Sequence, residues 1–578
     1  MIKTLLTRVR QYKKASLLAP LFVTIEVVFE VLSPFIMASL IDDGIDAGNM
    51  QVIVRLGLLL LLCALLSMLC GALSGKYAAI ASAGFATNLR QDLFYKVQEF
   101  SFSNIDRFST AGIVTRLTTD VTNVQMAYMM IIRVAVRCPT MLIFAVIMAF
   151  NINADLAIIF IFIIPLLAIL LAVIMTKAHP IFERVFKTYD HLNNVVEENL
   201  KGVRVVKSFV REKHEVSKFG RVSEAIYKDF SKAERLMAFS MPGMQAAIFG
   251  SMLFISWFGA RLIVDSVMTT GQLMSLFSYI MQILISLMFL AMVFVMITIS
   301  RASMERISQI LNEKVDLTSP VNALHEVPDG SVRFENVDFS YSKDAERASL
   351  SGINLDIKSG QTVGIVGGTG ASKTTLVQLI PRLYDVSCGT VSVGGHDVRE
   401  YDLDALRNQV AMVLQKNLLF SGTISENLRW GNPDATDEQL EQACRQSQAH
   451  DFISKMPKGY DTYIEQGGVN VSGGQKQRLT IARALLKSPK IIILDDSTSA
   501  VDTATDALIR RNFKEQLPDV TKFIIAQRIS SVQDADQIIV MEGGSINAVG
   551  THEELLAKNP IYREMYESQQ KGGDEDEA

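Results

Sequence analysis

Long apolar stretches dominate the first half of the chain. Six of them are long enough to cross a membrane, and they lie at residues 17–41, 52–80, 128–150, 155–176, 238–264 and 273–298. A bilayer whose hydrocarbon core is roughly 30 Å thick needs about 20 apolar residues for one helical crossing. The pattern therefore predicts six transmembrane helices.

The charged residues around these stretches predict how the membrane part is oriented. Five basic residues precede the first stretch, namely Lys3, Arg8, Arg10, Lys13 and Lys14. Because such residues stay on the cytoplasmic side, we expect the N-terminus in the cytoplasm, and six crossings return the chain there. The long polar segments 81–127 and 177–237 keep a helical pattern. We predict that they extend the membrane helices into the cytoplasm, each ending in a short helix that touches the soluble part.

The second half alternates strand-like and helix-like segments. Residues 332–341 and 353–367 alternate apolar and polar positions as half-buried strands do, and 491–496 and 522–528 are apolar enough for buried strands. With helical segments between them, these strands predict an α/β nucleotide-binding domain.

Charge and cysteine content exclude other classes of protein. The formal net charge is −4 and basic blocks are confined to the N-terminus, so nucleic-acid binding is not expected. The five cysteines are scattered without metal-ligand spacing, which argues against a disulfide framework or a zinc site.

Four ionisable residues fall within the predicted spans. Glu26 and Glu30 are four residues apart in the first span, and Arg133 and Arg137 have the same spacing early in the third. Ionisable groups at membrane depth are costly and usually face a partner or a water-filled cavity. They form either a polar patch in a substrate cavity or a structural pairing of Glu with Arg, or the arginines lie near the headgroups.

The segment "GIVGGTGASKTTL" (364–376) contains a near match to the phosphate-loop pattern G-x-x-x-x-G-K-[ST]. The candidate nucleotide-binding residues in it are Gly367, Thr369, Gly370, Ala371, Ser372, Lys373, Thr374 and Thr375. The segment follows an apolar strand and precedes a helix, which is the setting that this loop requires. Lys373 is expected to reach the β and γ phosphates and Thr374 to hold Mg²⁺. Ser372 stands where the pattern has Gly and costs about 1 kcal/mol if φ there is positive.

The segment "NVSGGQKQRLTIARALLKSPKIIILDDSTSAVD" (470–502) resembles the ATPase domain of ABC transporters. Six spans followed by one such domain resemble a half-transporter of the type IV ABC exporter family. The segments "GIVTRLTTDV" and "GVRVVKSFVREKHE" are similar to cytoplasmic loops of that family. The fold class predicted is thus an α-helical transmembrane domain with six spans plus an α/β P-loop ATPase domain with a helical subdomain.

The resemblance also implies domain limits and location. We expect the transmembrane domain at 1–310, a linker at 311–328, the ABC ATP-binding domain at 329–571 and a disordered acidic tail at 572–578. The protein is expected to be a multi-pass protein of the cytoplasmic membrane, with its N-terminus and ATPase domain in the cytoplasm.

The resemblance implies a role for each matching position, with ATP and Mg²⁺ as cofactors. Tyr341 matches the residue that stacks on adenine, and Asp495 matches the carboxylate that holds Mg²⁺. Gln415 matches the residue that contacts Mg²⁺ and the attacking water. The signature motif, which contacts the nucleotide of the partner domain, comprises Ser472, Gly473, Gly474 and Gln475. The segment 499–502 matches the D-loop.

Two further positions depart from the family pattern. Asp496 stands where the family has the Glu that acts as general base, and Gln527 stands where it has the switch His. A carboxylate withdrawn by roughly 1 Å can cost about 10²-fold in rate. An amide can bond a phosphate but cannot carry a proton. Together with Ser372 these changes predict a degenerate site; the alternative is a slow but competent enzyme.

An intact signature beside a weak phosphate-loop face resembles one subunit of a heterodimeric exporter. We expect a second, homologous half-transporter to supply the catalytic Glu and His, and this chain to complete that site with its signature. A self-sufficient homodimer and a nearly non-hydrolysing regulatory subunit remain as alternatives. The substrate is expected to be a hydrophobic or amphipathic small molecule, lipid or peptide.

Overall fold

The computed structural model describes residues 2–342, 348–496 and 501–575. The chain divides into two compact units. The first unit comprises Met1–Gln98 and Thr110–Glu313, and the second comprises Glu99–Ser109 and Lys314–Ala578. The short segment Glu99–Ser109, which precedes the third span in sequence, therefore belongs with the second unit.

The part of the chain up to residue 312 is helical. Its helices are α1 (Ile2–Leu6), α2 (Lys13–Ser39), α3 (Met50–Gln98), α4 (Phe102–Phe108), α5 (Thr110–Thr115), α6 (Val121–Ile152), α7 (Ala154–Lys201), α8 (Val203–Ser208), α9 (Glu212–Ala238), α10 (Ser240–Val264) and α11 (Thr270–Asn312). A 3-10 turn at Thr7–Tyr12 precedes α2, and π-helical turns lie at Leu40–Asp46 and Arg116–Asp120. Of these helices, only α4 belongs to the second unit.

Six helical stretches among the described residues are long and apolar enough to cross a membrane. They are Thr4–Asp46, Met50–Gln98, Thr110–Ile152, Ala154–Lys201, Glu212–Val264 and Thr270–Asn312. Each contains one of the predicted spans, so the prediction of six is confirmed. At about 1.5 Å per residue, α3 and α7 are far longer than a bilayer core of roughly 30 Å. Their polar ends are the predicted helical extensions.

Side chains cap the starts of α7 and α11. Asn153 Oδ1 accepts the backbone N–H of Leu156, 3.1 Å away, at the start of α7. Thr269 and Gln272 form a reciprocal capping box at the start of α11. Such caps satisfy backbone N–H groups that a helix end leaves without an internal partner.

Buried polar contacts join α11 to its neighbours. Asp120, at the end of the second π-helical turn, accepts hydrogen bonds from Ser303 at 2.9 Å and from Arg306 at 2.5 and 2.8 Å. The Asp120 side chain is only 1% exposed. The apolar core of this unit includes Phe160, Leu276 and Tyr279.

The second unit contains two main sheets and surrounding helices. Its strands are β1 (Val332–Phe339), β2 (Leu350–Ile357), β3 (Thr362–Gly367), β4 (Cys388–Val393), β5 (His396–Asp397), β6 (Val410–Val413), β7 (Gly422–Thr423), β8 (Tyr463–Ile464), β9 (Ile491–Asp495), β10 (Thr521–Ile525), β11 (Gln537–Glu542) and β12 (Ser545–Gly550). The helices after α11 are α12 (Lys373–Gln378), α13 (Leu403–Gln409), α14 (Ile424–Leu428), α15 (Asp437–Gln446), α16 (His450–Ser454), α17 (Gly473–Leu485), α18 (Thr503–Gln516), α19 (His552–Lys558) and α20 (Pro560–Glu575).

The larger sheet positions the candidate site. Its strand order is β12-β11-β3-β10-β9-β6, and all neighbours from β11 to β6 are parallel. All five residues of β9 and of β10 are buried, as predicted for these segments. A smaller antiparallel sheet has the order β2-β1-β4-β5. Parallel strands bring their carboxyl ends to one edge, so the loops after β3, β6, β9 and β10 meet there.

The last helix, α20, continues to Glu575. It therefore extends into the segment predicted as a disordered tail. Residues 576–578 lie outside the described part of the chain.

Candidate nucleotide site

The phosphate-loop segment joins a buried strand to a short helix. β3 ends at Gly367, and α12 begins at Lys373. A Cβ at Gly367 would lie 2.3 Å from the carbonyl oxygen of Met541, so a side chain is excluded there. Gly370 has φ +81°, and a Cβ at Gly368 or Gly370 would enter open space. The missing side chains at Gly368 and Gly370 fit the close approach of phosphate groups to backbone N–H groups.

Ser372 adopts the left-handed conformation, with φ +65° and ψ +27°. A residue with a Cβ pays roughly 1 kcal/mol for this conformation, whereas Gly adopts it freely. The sequence predicted this cost only if φ at Ser372 is positive, and φ is positive in the structure. The preceding residue, Ala371, is buried in the domain core, while Thr369 is exposed.

Lys373 and Thr374 contact different parts of the site. The Lys373 ammonium donates to the carbonyl oxygens of Gly367 at 2.8 Å and Gly368 at 2.9 Å. The Thr374 hydroxyl lies 2.9 and 3.0 Å from the two carboxylate oxygens of Asp495, the last residue of β9. Burial lowers the pKa of Lys373 and raises that of Asp495. The structure thus brings together hydroxyl and carboxylate oxygens, which are the ligands that Mg²⁺ prefers.

Two amides hold the carboxylate of Asp496. Its Oδ2 accepts a hydrogen bond from Gln527 Nε2 at 2.8 Å and from Gln415 Nε2 at 3.4 Å. The Asp496 backbone also has φ +48° and donates its N–H to the Ile525 carbonyl oxygen at 3.0 Å. Burial is the main cause that raises the pKa of Asp496, and the two amides oppose it. Asp496, Gln527 and Gln415 thus form one contact cluster.

Tyr341 lies next to α12 and is half exposed. Its hydroxyl is 3.0 Å from the Thr375 hydroxyl and donates to Gln378 Oε1 at 3.2 Å. Its ring meets that of Tyr384 edge to face, with centroids 5.1 Å apart. Tyr384 in turn donates its hydroxyl to Asp106 Oδ2 on α4 at 2.7 Å.

Sequence reasoning did not identify Tyr384. The only signal was an aromatic residue in "IPRLYDV" (380–386), and nothing in the local pattern indicated a partner on α4. Burial and the bond to Asp106 both raise the pKa of Tyr384, so it remains a protonated donor. Tyr384 thus links α4 to the ring of Tyr341 within the second unit.

The signature residues form the start of α17. Ser472 Oγ accepts the backbone N–H of Gln475 at 3.3 Å, and Gln475 Oε1 accepts the backbone N–H of Ser472 at 2.9 Å. Gly473 and Gly474 are the first two residues of the helix. In the D-loop, residues 499 and 500 lie outside the described part of the chain, whereas Asp502 caps α18 through the N–H of Thr505 at 2.9 Å.

Known protein families match both halves of the chain. The ABC transporter transmembrane region matches residues 16–288, and the ABC transporter family matches residues 350–499. The ABC transporter ATP-binding protein YfiB of Bacillus subtilis is 34% identical over 564 residues, which cover 98% of each chain. The chain belongs to the ABC transporter family. The ATPase domain of this exporter is cytoplasmic, and the chain is a multi-pass membrane protein.

A second relative and a solved structure agree with this assignment. The "Probable multidrug resistance ABC transporter ATP-binding/permease protein YheI" of Bacillus subtilis is 35% identical over 407 residues, 70% of this chain and 69% of that protein. The structure of a bacterial Atm1-family ABC exporter with ATP bound aligns with a TM-score of 0.81 and 24% identity. The alignment covers 97% of this chain and 99% of that one, so the two share their fold.

The site of this ABC exporter fits its nucleotide. The ABC ATPase domain binds ATP with Mg²⁺. The open turn at Gly368 and Gly370 leaves room for phosphates, and the oxygens of Thr374 and Asp495 lie together as metal ligands would.

Proposed function

We propose that this ABC exporter is one half of a heterodimer and that its own ATP site hydrolyses slowly. Its signature residues would complete the catalytic site of a homologous partner. The observation that carries this proposal is the cluster at Asp496, where two amides engage the carboxylate that stands in for the general base.

On the binding side, the residues are well suited to their proposed roles. The phosphate loop from Gly367 to Thr375 would surround the phosphates, with Lys373 moving from the loop carbonyls to the β and γ phosphates. Thr374 and Asp495 would hold Mg²⁺, which stabilises the negative charge of the phosphates. Tyr341, which is half exposed, would stack its ring on adenine.

We attribute the proposed slow hydrolysis to the position of the Asp496 carboxylate rather than to its basicity. Burial raises the pKa of Asp496, which by itself favours accepting a proton. However, the side chain is one methylene shorter than Glu, and its Oδ2 already accepts the Gln527 amide at 2.8 Å. A water molecule would have to compete with that bond and would lie roughly 1 Å too far away, at a cost of about 10²-fold. Gln527, being neutral, cannot take over the proton.

The signature face shows none of these departures. Ser472 and Gln475 form a reciprocal cap that holds the start of α17. Gly473 and Gly474, the first two residues of α17, have no side chains to obstruct the partner's phosphates. We therefore propose that Ser472, Gly473, Gly474 and Gln475 serve the partner's nucleotide rather than this chain's own.

Within this proposal, ATP at the chain's own site acts mainly as a clamp. Closure of the two ATPase domains would turn the cavity outward, and hydrolysis at the partner's site would reset the transporter. The substrate would be hydrophobic or amphipathic. The name of the relative YheI, which refers to multidrug resistance, supports this class.

A pair of variants tests the asymmetry between the two faces. We expect Asp496→Asn to keep more than half of the ATPase activity of the purified transporter, because the other site carries most turnover. Gly473→Asp should abolish activity, because a carboxylate there would repel the partner's phosphates. Asp434→Asn, which changes an exposed carboxylate of the same domain, is the matched control. A complete loss in Asp496→Asn would instead favour a self-sufficient homodimer, in which Asp496 is the working base.

A further inference from the structure

The last helix bonds the backbone of the segment that carries Gln527. Gln569 of α20 donates from Nε2 to the Gln527 carbonyl oxygen at 2.8 Å, and its Oε1 accepts the backbone N–H of Ile529 at 2.9 Å. We call Gln527, Arg528 and Ile529 the switch segment. A single side-chain amide thus makes one donor bond and one acceptor bond to the switch segment, and all of these residues belong to the second unit.

The switch segment lies just beyond the larger sheet. β10 ends at Ile525, and the next residue, Ala526, donates its N–H to the Ile365 carbonyl oxygen at 3.3 Å. Arg528 is extended, with φ −94° and ψ +126°, so the carbonyl before it and the N–H after it face the same side. Ile529 then begins a 3-10 turn, and the first N–H groups of such a turn have no partner within it. The Gln569 amide supplies partners where the sheet has ended and the turn has only begun.

The helix that carries Gln569 is anchored in the core of the ATPase domain. Tyr562 is fully buried, and its hydroxyl lies 2.7 Å from His552 Nδ1. Met565 and Tyr566 pack against the same core. Gln569 follows these residues at the three- and four-residue steps that define one face of a helix. Because Gln569 itself is exposed, its two backbone bonds rather than burial distinguish it.

The first side chain of the switch segment reaches the nucleotide site. Gln527 Nε2 donates to Asp496 Oδ2 at 2.8 Å. Asp496 follows Asp495, which contacts the Thr374 hydroxyl at 2.9 Å. A carboxamide nitrogen carries two N–H groups, so the bond to Asp496 leaves a second one for another acceptor. A γ-phosphate oxygen is such an acceptor, and ADP lacks it.

We propose that Gln569 is a positioning residue, which holds the switch segment so that the Gln527 amide bonds the γ-phosphate of ATP. Gln569 does not touch the nucleotide and acts only through Gln527. This inference rests on the proposed role of the chain's own ATP site as a clamp, and it specifies what makes that clamp prefer ATP to ADP.

Gln569→Met tests this role, because it keeps a side chain of similar length and removes both backbone bonds. The full transporter is photolabelled with radioactive 8-azido-ATP in the cold, where hydrolysis is slow. Adenine is expected beside Tyr341 of the same chain, so label on this chain, recognised by its tag, reports its own site. Displacement of the label by ATP and by ADP gives the preference for ATP. We expect Gln569→Met to lower that preference about fivefold, as the loss of one hydrogen bond would.

Two further variants assign the effect. Gln570→Ala is the matched control, because the Gln570 amide donates to the Tyr566 hydroxyl of the same helix at 2.7 Å, and its preference for ATP should not change. Gln527→Ala should lower the preference about as much as Gln569→Met. Combining Gln527→Ala with Gln569→Met should lower it no further, because both changes remove the same contact. A merely structural effect of Gln569 would persist in the Gln527→Ala background.

Three results would overturn the inference. They are an unchanged preference in Gln569→Met, a further fall of about fivefold in the double variant, and an unchanged preference in Gln527→Ala, which would show that Gln527 does not reach the γ-phosphate. The label is read on this chain whether its partner is a different half-transporter or a second copy. Failure here is therefore distinct from failure of the heterodimer proposal.

Discussion

Replacing Ser372 by Gly should tighten ATP binding at this chain's own site. Ser372 has φ +65° and ψ +27°, a conformation that costs a residue with a Cβ about 1 kcal/mol and costs Gly nothing. If the loop needs this conformation to bind phosphates and relaxes without them, Ser372→Gly recovers that energy on binding. Since about 1.4 kcal/mol corresponds to a tenfold change in affinity, the gain is at most about fivefold.

Two control variants test whether backbone strain at Ser372 is what weakens ATP binding. Ser372→Ala keeps the Cβ and removes only the hydroxyl, so it should bind ATP as the unmodified chain does. Ser488, which also has a positive φ of +49°, lies outside the phosphate loop. Ser488→Gly should therefore leave the affinity unchanged. Affinity is measured by titrating a fluorescent ATP analogue against the purified transporter at low temperature, where hydrolysis is slow.

Two results would refute the proposed effect of backbone strain at Ser372 on ATP affinity. If Ser372→Ala tightens binding as much as Ser372→Gly, the hydroxyl and not the backbone conformation weakens the site. If neither variant changes the affinity, the loop keeps the same strained conformation with and without ATP.

Three further predictions follow from the contacts described above. Tyr384→Phe removes the 2.7 Å bond to Asp106, so amide hydrogen exchange in α4 should accelerate about fivefold, as a loss of about 1 kcal/mol predicts; unchanged exchange would show that other contacts hold α4. Asp120→Ala removes the buried partner of two α11 side chains and should destabilise the protein by about 2 kcal/mol, measured as a lower melting temperature in detergent. The double change Asp496→Glu with Gln527→His should raise ATP hydrolysis at this chain's own site at least tenfold, because it restores the reach of the base and a group that can carry a proton. If hydrolysis does not rise, residues other than Asp496 and Gln527 limit it.

Much of the fold could be predicted because it depends on local pattern. The six spans follow from the length of apolar stretches, and β9 and β10 follow from short runs of apolar residues. The phosphate loop could be located from the spacing of its residues. Even the strain at Ser372 could be anticipated, since the loop pattern reserves that position for Gly.

The remaining features depend on contacts between residues far apart in the chain. Arg137 donates to Glu26 Oε1 at 2.9 Å from 111 residues away, and the sequence left open whether the two pair. The bond between Tyr384 and Asp106 spans 278 residues. Gln282 on α11 contacts the Glu30 carbonyl oxygen on α2, which has no helical donor because Pro34 lacks an N–H. No local period encodes such contacts, so they appear only when the helices are packed.

The central claim is that this chain works beside a different half-transporter, and its native mass tests this most directly. Tagged chain is purified from its native membrane, and the intact complex is weighed by native mass spectrometry. We predict one copy of this 64.0 kDa chain with one copy of a second chain of similar size. A complex that contains two copies of this chain alone, and that hydrolyses ATP through Asp496, would contradict the account.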